Sequence, residues 1–511
     1  MFSLIKSATV YGMDSYIINV ETDVSPGLPG FEMVGLLNSE VKEAKERVKV
    51  SLKNSGFVLP VAKITVNLSP ANIRKNGTKY DLPIAISLLV AVGEIEQYKA
   101  DNTLLLGELG LDGELRFIEG VLPIVLKARE EGIKRVILPK ANIKEASVVN
   151  DIKIYGMDNL IDVVRFLNNQ CSENFKSEGF DFDEYYNNSI AKLNADFSDV
   201  CGQMELKRAS IVSAAGFHNM LMIGSPGSGK SLIAKRFPSI LPSLSYEESL
   251  EVSKIYSIAG EIKEGESLVV ERPFIAPHHT SSCQSLVGGG NIPKPGLISL
   301  AHRGVLFLDE AVHFQTNVLE ALRQPLEDKY ITISRSSGKF KYPADFMLLV
   351  AVNPCPCGYY PDRNKCRCSE KQINNYLSKI SGPILDRIDI CVSSAIIEYN
   401  DLKSDGDNLS SEEMRKRIEV ALLRQEYRFY ESNIRFNSEM GVSDLKEYCQ
   451  LDPNDEYFLE ASYKKLGISA RGYHKILKTA RTIADLDNKD RIMKKHLAEA
   501  INYRIVRNRF W

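Results

Sequence analysis

Hydrophobic positions recur along this chain in different rhythms, and the changes of rhythm mark its organisation. In residues 1–168, β-branched runs (YIINVETDV, AKITVNLS, RVILPK, IKIYGM) alternate with stretches of helical period such as SEVKEAKERVKVSLKNSG and GVLPIVLKAREEGI. Strand and helix patterns that alternate in this way predict a mixed α/β domain. Residues 169–200 are polar and acidic with no sustained apolar period, which reads as a linker with some helix at its end. From 201 to 396, the strand NMLMIG, a glycine-rich turn and the helix KSLIAKRF form one strand-loop-helix unit. GVLFLDE at 304–310 and FMLLVAVN at 346–353 are nearly continuous apolar runs. Such runs suit parallel strands buried on both faces, so this part is expected to be a doubly wound α/β core. From 397 to 511 the pattern is helical, opened by SSEE at 410–413 as a capping box, and predicts a helical lid.

With 511 residues, 44% hydrophobic and 25% charged, the chain has ordinary globular usage and more length than one core fills. Its longest apolar run, LPIAISLLVAVG at 82–93, is too short to cross roughly 30 Å of hydrocarbon at about 1.5 Å per residue, and the N-terminus lacks a signal-peptide plan. A cytoplasmic location without membrane contact is the expectation. The formal charge of -2 means that any anionic partner must be held by a local patch. Nine cysteines, four of them within 355–368, suggest metal before disulfide.

The most specific chemistry lies in GSPGSGKS at 224–231. Gly224, Ser225, Pro226, Gly227, Ser228, Gly229, Lys230 and Ser231 satisfy the pattern of a phosphate-binding loop. Its glycines let backbone N–H groups turn inward around phosphate oxygens, Lys230 adds a cation, and Ser231 adds a hydroxyl for Mg²⁺. A chance glycine-rich turn is a poor account, because a strand precedes the loop and a helix follows it. LFLDE then delivers Asp309 and Glu310 at the C-terminal end of a strand, where open α/β sheets bind ligands. Asp309 suits the magnesium of ATP, and Glu310 suits polarisation of an attacking water. Asn353, at the end of the next strand, is placed to orient that water or simply to end the strand before Pro354.

This order of motifs, continued by LLVAVNPCPCG, GPILDRIDI and ISARGYHKILKTARTIADL, resembles the AAA+ ATPases related to magnesium chelatase subunit I, and most closely the ComM/YifB family. The resemblance covers essentially the whole chain. It implies a sensor 1 role for Asn353, an arginine finger at Arg387 and a sensor 2 role for Arg471. An arginine finger must meet the γ-phosphate of a neighbouring subunit, so a ring follows, by family analogy a homo-hexamer. The bland alternative is a surface salt bridge from Arg387 to Asp386 or Asp389. The segment 107–140 resembles the proteolytic domain of Lon, a fold shared with a ribosomal protein domain. Asp81 falls near the nucleophile position and Leu122 or Pro123 at the lysine position, so the serine-lysine dyad is missing. A non-proteolytic scaffold or partner-binding domain is expected.

Cys355, Cys357, Cys366 and Cys368 form C-x-C, eight residues, C-x-C, which suits tetrahedral Zn²⁺, with free thiols or a redox-labile pair as the alternative. His278 and His279 in APHHTSS have no carboxylate at ligand spacing, which favours a structural or intersubunit role. ITISRSSGKFKY at 331–342 reads as a hairpin around Ser337-Gly338, with Arg335, Lys339 and Lys341 suited to phosphate contacts or to plain solvation. Residues 471–511 hold eleven Lys or Arg against four Asp or Glu, a second basic patch that would face DNA or offset the acidic linker. The ComM resemblance implies ATP-driven branch migration or helicase action on single-stranded or branched DNA during uptake and recombination. A chelatase-like partner and a protein-remodelling ATPase are the alternatives. The chelatase reading is weakened by the Lon-like domain, taken as foreign to that subunit, and the remodelling reading by the lack of an evident aromatic pore loop.

Overall fold

Phe2–Tyr11 and Asp14–Ser25, whose burial alternates over much of their length, form a long antiparallel hairpin, paired from Phe2 with Asp23 to Tyr11 with Asp14. The computed structural model describes residues 1–170, 175–177, 179–190, 195–290, 293–335, 338–395 and 409–511. Around that hairpin a seven-stranded mixed sheet forms in the order Gly30–Val34, Lys63–Ser69, Asp14–Ser25, Phe2–Tyr11, Thr103–Leu105, Arg135–Pro139, Lys153–Met157. The apolar run at 82–93 is a core helix, Asp81–Val92, buried along nearly its whole length, as its all-round hydrophobicity requires.

That helix settles what stands at the positions of the missing dyad. Asp81 is fully buried, accepts Arg47 Nε at 2.8 Å and Nη2 at 3.0 Å, and takes Leu109 N–H at 3.3 Å. Its oxygens are occupied by structural bonds. Leu122 and Pro123 are buried on the helix Val121–Glu130 and carry no ionisable group.

A second sheet is wholly parallel, in the order Phe274–Ile275, Val305–Leu308, Met347–Val352, Met220–Ile223, Ile390–Ser393. Every residue of its three central strands is buried, as the apolar runs predicted. The C-terminal part is helical. Ser410 and Glu413 form the predicted capping box on Ser411–Arg428, and the helices Ala470–Leu486 and Lys494–Phe510 fold back on the sheet. Met414, Ile418, Ile483 and Leu497 share one apolar core with Met220, Phe307 and Leu349. Among the described residues, no helix is long and apolar enough to cross a membrane.

The first sheet is tied to the second by specific bonds. Buried Glu145 accepts Ser257 Oγ at 2.6 Å and caps Leu122 N at 3.0 Å, while Tyr246 Oη donates to Val148 O at 2.6 Å. Lys294 reaches Glu119 at 2.8 Å. The turn at Tyr11 lies on the predicted hairpin, with the Tyr11 and Phe340 rings 4.9 Å apart. That hairpin pairs Tyr330–Arg335 with Gly338–Pro343, and Ile333 and Phe340 face inward. Ser337, assigned to its turn, lies outside the described residues. Arg335, Lys339 and Lys341 are exposed, although Lys341 Nζ sits 4.0 Å from the centre of the Tyr330 ring.

The basic C-terminal segment is paired in part within the molecule. Lys475 pairs with Asp389, Arg481 with Asp485, Lys495 with Asp487 and Arg507 with Asp386, and Arg504 donates to Ile388 O. Asp386 and Asp389 lie outside the segment and offset two of its excess cations, while Asp485 and Asp487 are among its own four acidic residues. We expect no ATP-stimulated cleavage of a labelled unfolded protein by the purified chain. Proteolysis that persists in an Asp81→Asn variant would reverse the assignment of this fold as inert.

Candidate nucleotide site

The strand Met220–Ile223 ends in the loop 224–231, and the loop is shaped by its neighbours as much as by its own glycines. At Gly224 a Cβ would overlap Ser394 Oγ, so only glycine lets the chain pass between the ends of two strands. Gly227 and Gly229 have left-handed φ of 77° and 86° with open space where a Cβ would stand. This is a cradle that fits phosphate oxygens.

Lys230 Nζ donates to Gly224 O and Ser225 O, both at 2.8 Å, and lies 3.4 Å from Asn353 Oδ1. Burial pulls its ammonium down to about 8, against the pull of Asp309 and Glu310. A triphosphate would act in the same sense as those carboxylates and restore full charge. Ser231 Oγ donates to Asp309 Oδ2 at 2.7 Å, which puts a hydroxyl and a carboxylate together as a hard-cation site suited to Mg²⁺. Glu310 is exposed and left-handed at φ 48°, a conformation that costs a non-glycine residue of order 1 kcal/mol. Lys230, Ser231, Asp309 and Asn353 are thus brought together at the C-terminal ends of three neighbouring strands.

Arg387 and Arg471 are elsewhere. Arg387 precedes the strand Ile390–Ser393, and Asn219, just before Met220, donates Nδ2 to Arg387 O at 2.9 Å. Because Met220 pairs with Ile390 and Ile223 with Ser393 in parallel, Arg387 stands at the N-terminal end of the strand that carries the phosphate loop at its other end. Four residues at about 3.3 Å separate the two ends by about 13 Å. An extended arginine reaches roughly 7 Å from its Cα. Arg471 does not join the phosphate loop either. It lines with Arg387 a cavity of about 410 Å³, which Lys329, Lys475 and Lys478 also border.

The proposed alternative partners of Arg387 are taken. Asp386 holds Arg507 at 2.8 Å, and Asp389 holds Lys475 at 2.6 Å with His218 at 3.8 Å. Burial alone would raise the Asp389 carboxyl, but Lys475 and His218 together hold it well below the usual range. Arg387 pairs instead with Glu327.

Cys355, Cys357, Cys366 and Cys368 converge, with all four Sγ atoms within 4.8 Å of one another. Three of the separations are 3.3, 3.6 and 3.7 Å, close to the spacing that four thiolates about 2.3 Å from one Zn²⁺ require. The loop they close begins two residues after Asn353. It also touches the phosphate loop, since a Cβ at Gly358 would overlap the Pro226 ring. The His278 and His279 rings lie 4.1 Å apart and tilted by 36°, with His278 Nδ1 bonded to Thr280 Oγ1 at 2.8 Å, and they belong to no metal-like cluster among the described residues.

One residue escaped the sequence reading. Gln203, left-handed at φ 53°, donates Nε2 to Ser228 O at 3.1 Å and Ala395 O at 2.7 Å, and accepts Ala395 N–H at 3.2 Å. It stitches the phosphate loop to the end of the Ile390–Ser393 strand. Its only sequence signal was a buried amide just upstream of a helix, which is too common to single out.

Three family profiles match the chain. One described as Magnesium chelatase, subunit ChlI spans residues 196–402, one described as Subunit ChlI of Mg-chelatase spans 20–142, and one described as Magnesium chelatase, subunit ChlI C-terminal spans 408–504. The competence protein ComM of Haemophilus influenzae is 40% identical over 509 residues, 98% of this chain and 97% of that protein. YifB of Escherichia coli is 39% identical over 507 residues, 99% of this chain and 97% of that protein. The magnesium-chelatase 38 kDa subunit of Cereibacter sphaeroides is 24% identical over 174 residues, 31% of this chain and 52% of that protein. The match at 20–142 removes the first domain as a ground for separating this chain from the chelatase subunit.

Lys230→Ala should weaken binding of a fluorescent ATP analogue by about 100-fold. Glu310→Gln should leave that affinity within a few-fold and lower hydrolysis by about 100-fold or more. Wild-type turnover by Glu310→Gln would show that another group activates the water.

Proposed function

Taking as premise that this chain belongs to the ComM/YifB family of magnesium-chelatase-like AAA+ ATPases, we propose that it is a ring-forming ATP hydrolase that remodels DNA. By this reading six copies close a ring, and hydrolysis drives branch migration or helicase action in transformation or recombination. The observation that carries the assembly is the separation of the two halves of the site. Phosphate-binding groups lie at one end of the parallel sheet and Arg387 and Arg471 at the other, so within one copy they do not meet. A neighbour supplies what each lacks.

In this scheme the backbone of 225–230 and the Lys230 ammonium hold the phosphate chain, while Ser231 and Asp309 would hold Mg²⁺. That ion, when bound, would neutralise charge on the transferred group. Glu310 polarises the water, Asn353 orients it, and Arg387 of the next copy stabilises the charge that develops on the terminal phosphate. The hairpin 330–343 presents Arg335, Lys339 and Lys341 to solvent, and such cations suit backbone phosphates without reading sequence. The printed description of ComM as a competence protein agrees with DNA as the polymer. The limited match to the chelatase subunit makes metal insertion the second reading.

The four thiolates at 355–368 would hold Zn²⁺, which takes no part in hydrolysis but would fix the loop that leans on Pro226. Protein purified without chelator should carry about one zinc per chain by elemental analysis. Absence of zinc from active, undegraded protein would identify these cysteines as free thiols.

The function is tested by ATPase rates with no polymer, with single-stranded DNA, with a four-way junction and with an unfolded protein. Stimulation by one or both DNA forms is expected. Stimulation by the unfolded protein alone would move the assignment to protein remodelling.

A further inference from the structure

Arg387 and Arg471 converge on one carboxylate. Glu327, on the short helix Arg323–Asp328, bonds Arg387 Nη2 through Oε1, and the same oxygen lies 3.9 Å from Arg471 Nη2. Arg387 Nη1 also donates to Pro383 O at 2.5 Å. Its Nε is buried and has no partner among the described residues. The guanidinium is therefore held at two corners.

The remaining charges of this cavity have other partners. Lys329 is bound by Asp345 and Glu439, Lys475 by Asp389, and Arg507 takes Asp386. Glu327 is half exposed, and ion pairs in that setting add little to stability. Its effect on the arginines is larger. Two guanidinium groups brought to one phosphate repel each other, and each long side chain loses rotamer freedom when it is fixed. A carboxylate between them offsets the repulsion, holds Arg387 and draws Arg471 towards it before the phosphate arrives.

We propose that Glu327 is a positioning residue for the arginine pair, holding Arg387 and Arg471 together so that both meet the terminal phosphate bound by a neighbouring copy. The proposal rests on the shared pocket argued above. Glu327 itself does not touch the nucleotide, and its effect runs through the two guanidinium groups.

The test is steady-state ATPase of full-length Glu327→Ala and Glu327→Gln, with Arg387→Ala as reference, each alone and mixed with Glu310→Gln subunits. Both Glu327 variants should lose about 10-fold in kcat while KM for ATP stays within about twofold, since their own phosphate loops are intact. Glu310→Gln subunits bring an intact arginine face, so mixing should restore activity to Glu327→Ala and to Arg387→Ala alike. Wild-type kcat in both Glu327 variants, with Arg387→Ala inactive alone and rescued by mixing, overturns the positioning role and leaves the shared pocket standing. Loss of ring assembly by gel filtration in both Glu327 variants would assign a structural role and also overturns it. Failure of mixing to rescue Arg387→Ala removes the shared pocket and the proposal with it.

Discussion

All five strands of the nucleotide core run in the same direction, and that direction decides which groups can meet. A loop that leaves the C-terminal end of a strand joins its neighbours' C-terminal loops, so Lys230, Ser231, Asp309 and Asn353 gather from three adjacent strands. A residue that precedes a strand is carried to the opposite end. Arg387 belongs to this second group, fastened there by Asn219, and no side-chain rotation spans the sheet. The separation of Arg387 from the phosphate loop is thus a property of the sheet rather than of any one residue.

Holding the two ends in register is the work of buried polar groups that carry no chemistry of their own. Asn219 bonds Asp389 through its backbone and Arg387 and Leu348 through its side chain, and so sets the N-terminal end. Gln203, with Ser394 against Ser228 at 2.7 Å, sets the C-terminal end. Such groups are costly when unpaired and rigid when satisfied, which suits a site whose hydrogen bonds must be aimed before the substrate arrives.

The strands and the phosphate loop were legible because their signals are local. An apolar run of four to six residues, a glycine pattern and a capping box each occupy one short window, and each fold element they predicted is present. Asp81 was legible as a lost nucleophile, but its bond to Arg47 was not, since thirty-four residues separate the partners. The same limit hid Gln203, which bonds Ala395 across 192 residues, and Glu327, which reaches Arg387 only through the fold. The basic C-terminal segment was legible only in part, because a charge count does not show which cations meet carboxylates of distant segments, as Lys475 meets Asp389 and Arg507 meets Asp386.

The contact between Tyr11 and Phe340 joins the first sheet to the hairpin that the ring would present to its polymer. Gly12, left-handed at φ 67°, brings the turn close enough that a Cβ there would touch the same ring. Glu145 bonded to Ser257, Val148 to Tyr246 and Glu119 to Lys294 add further ties between the first domain and the core. Any force on the hairpin is therefore shared with the seven-stranded sheet through the contact of the Tyr11 and Phe340 rings.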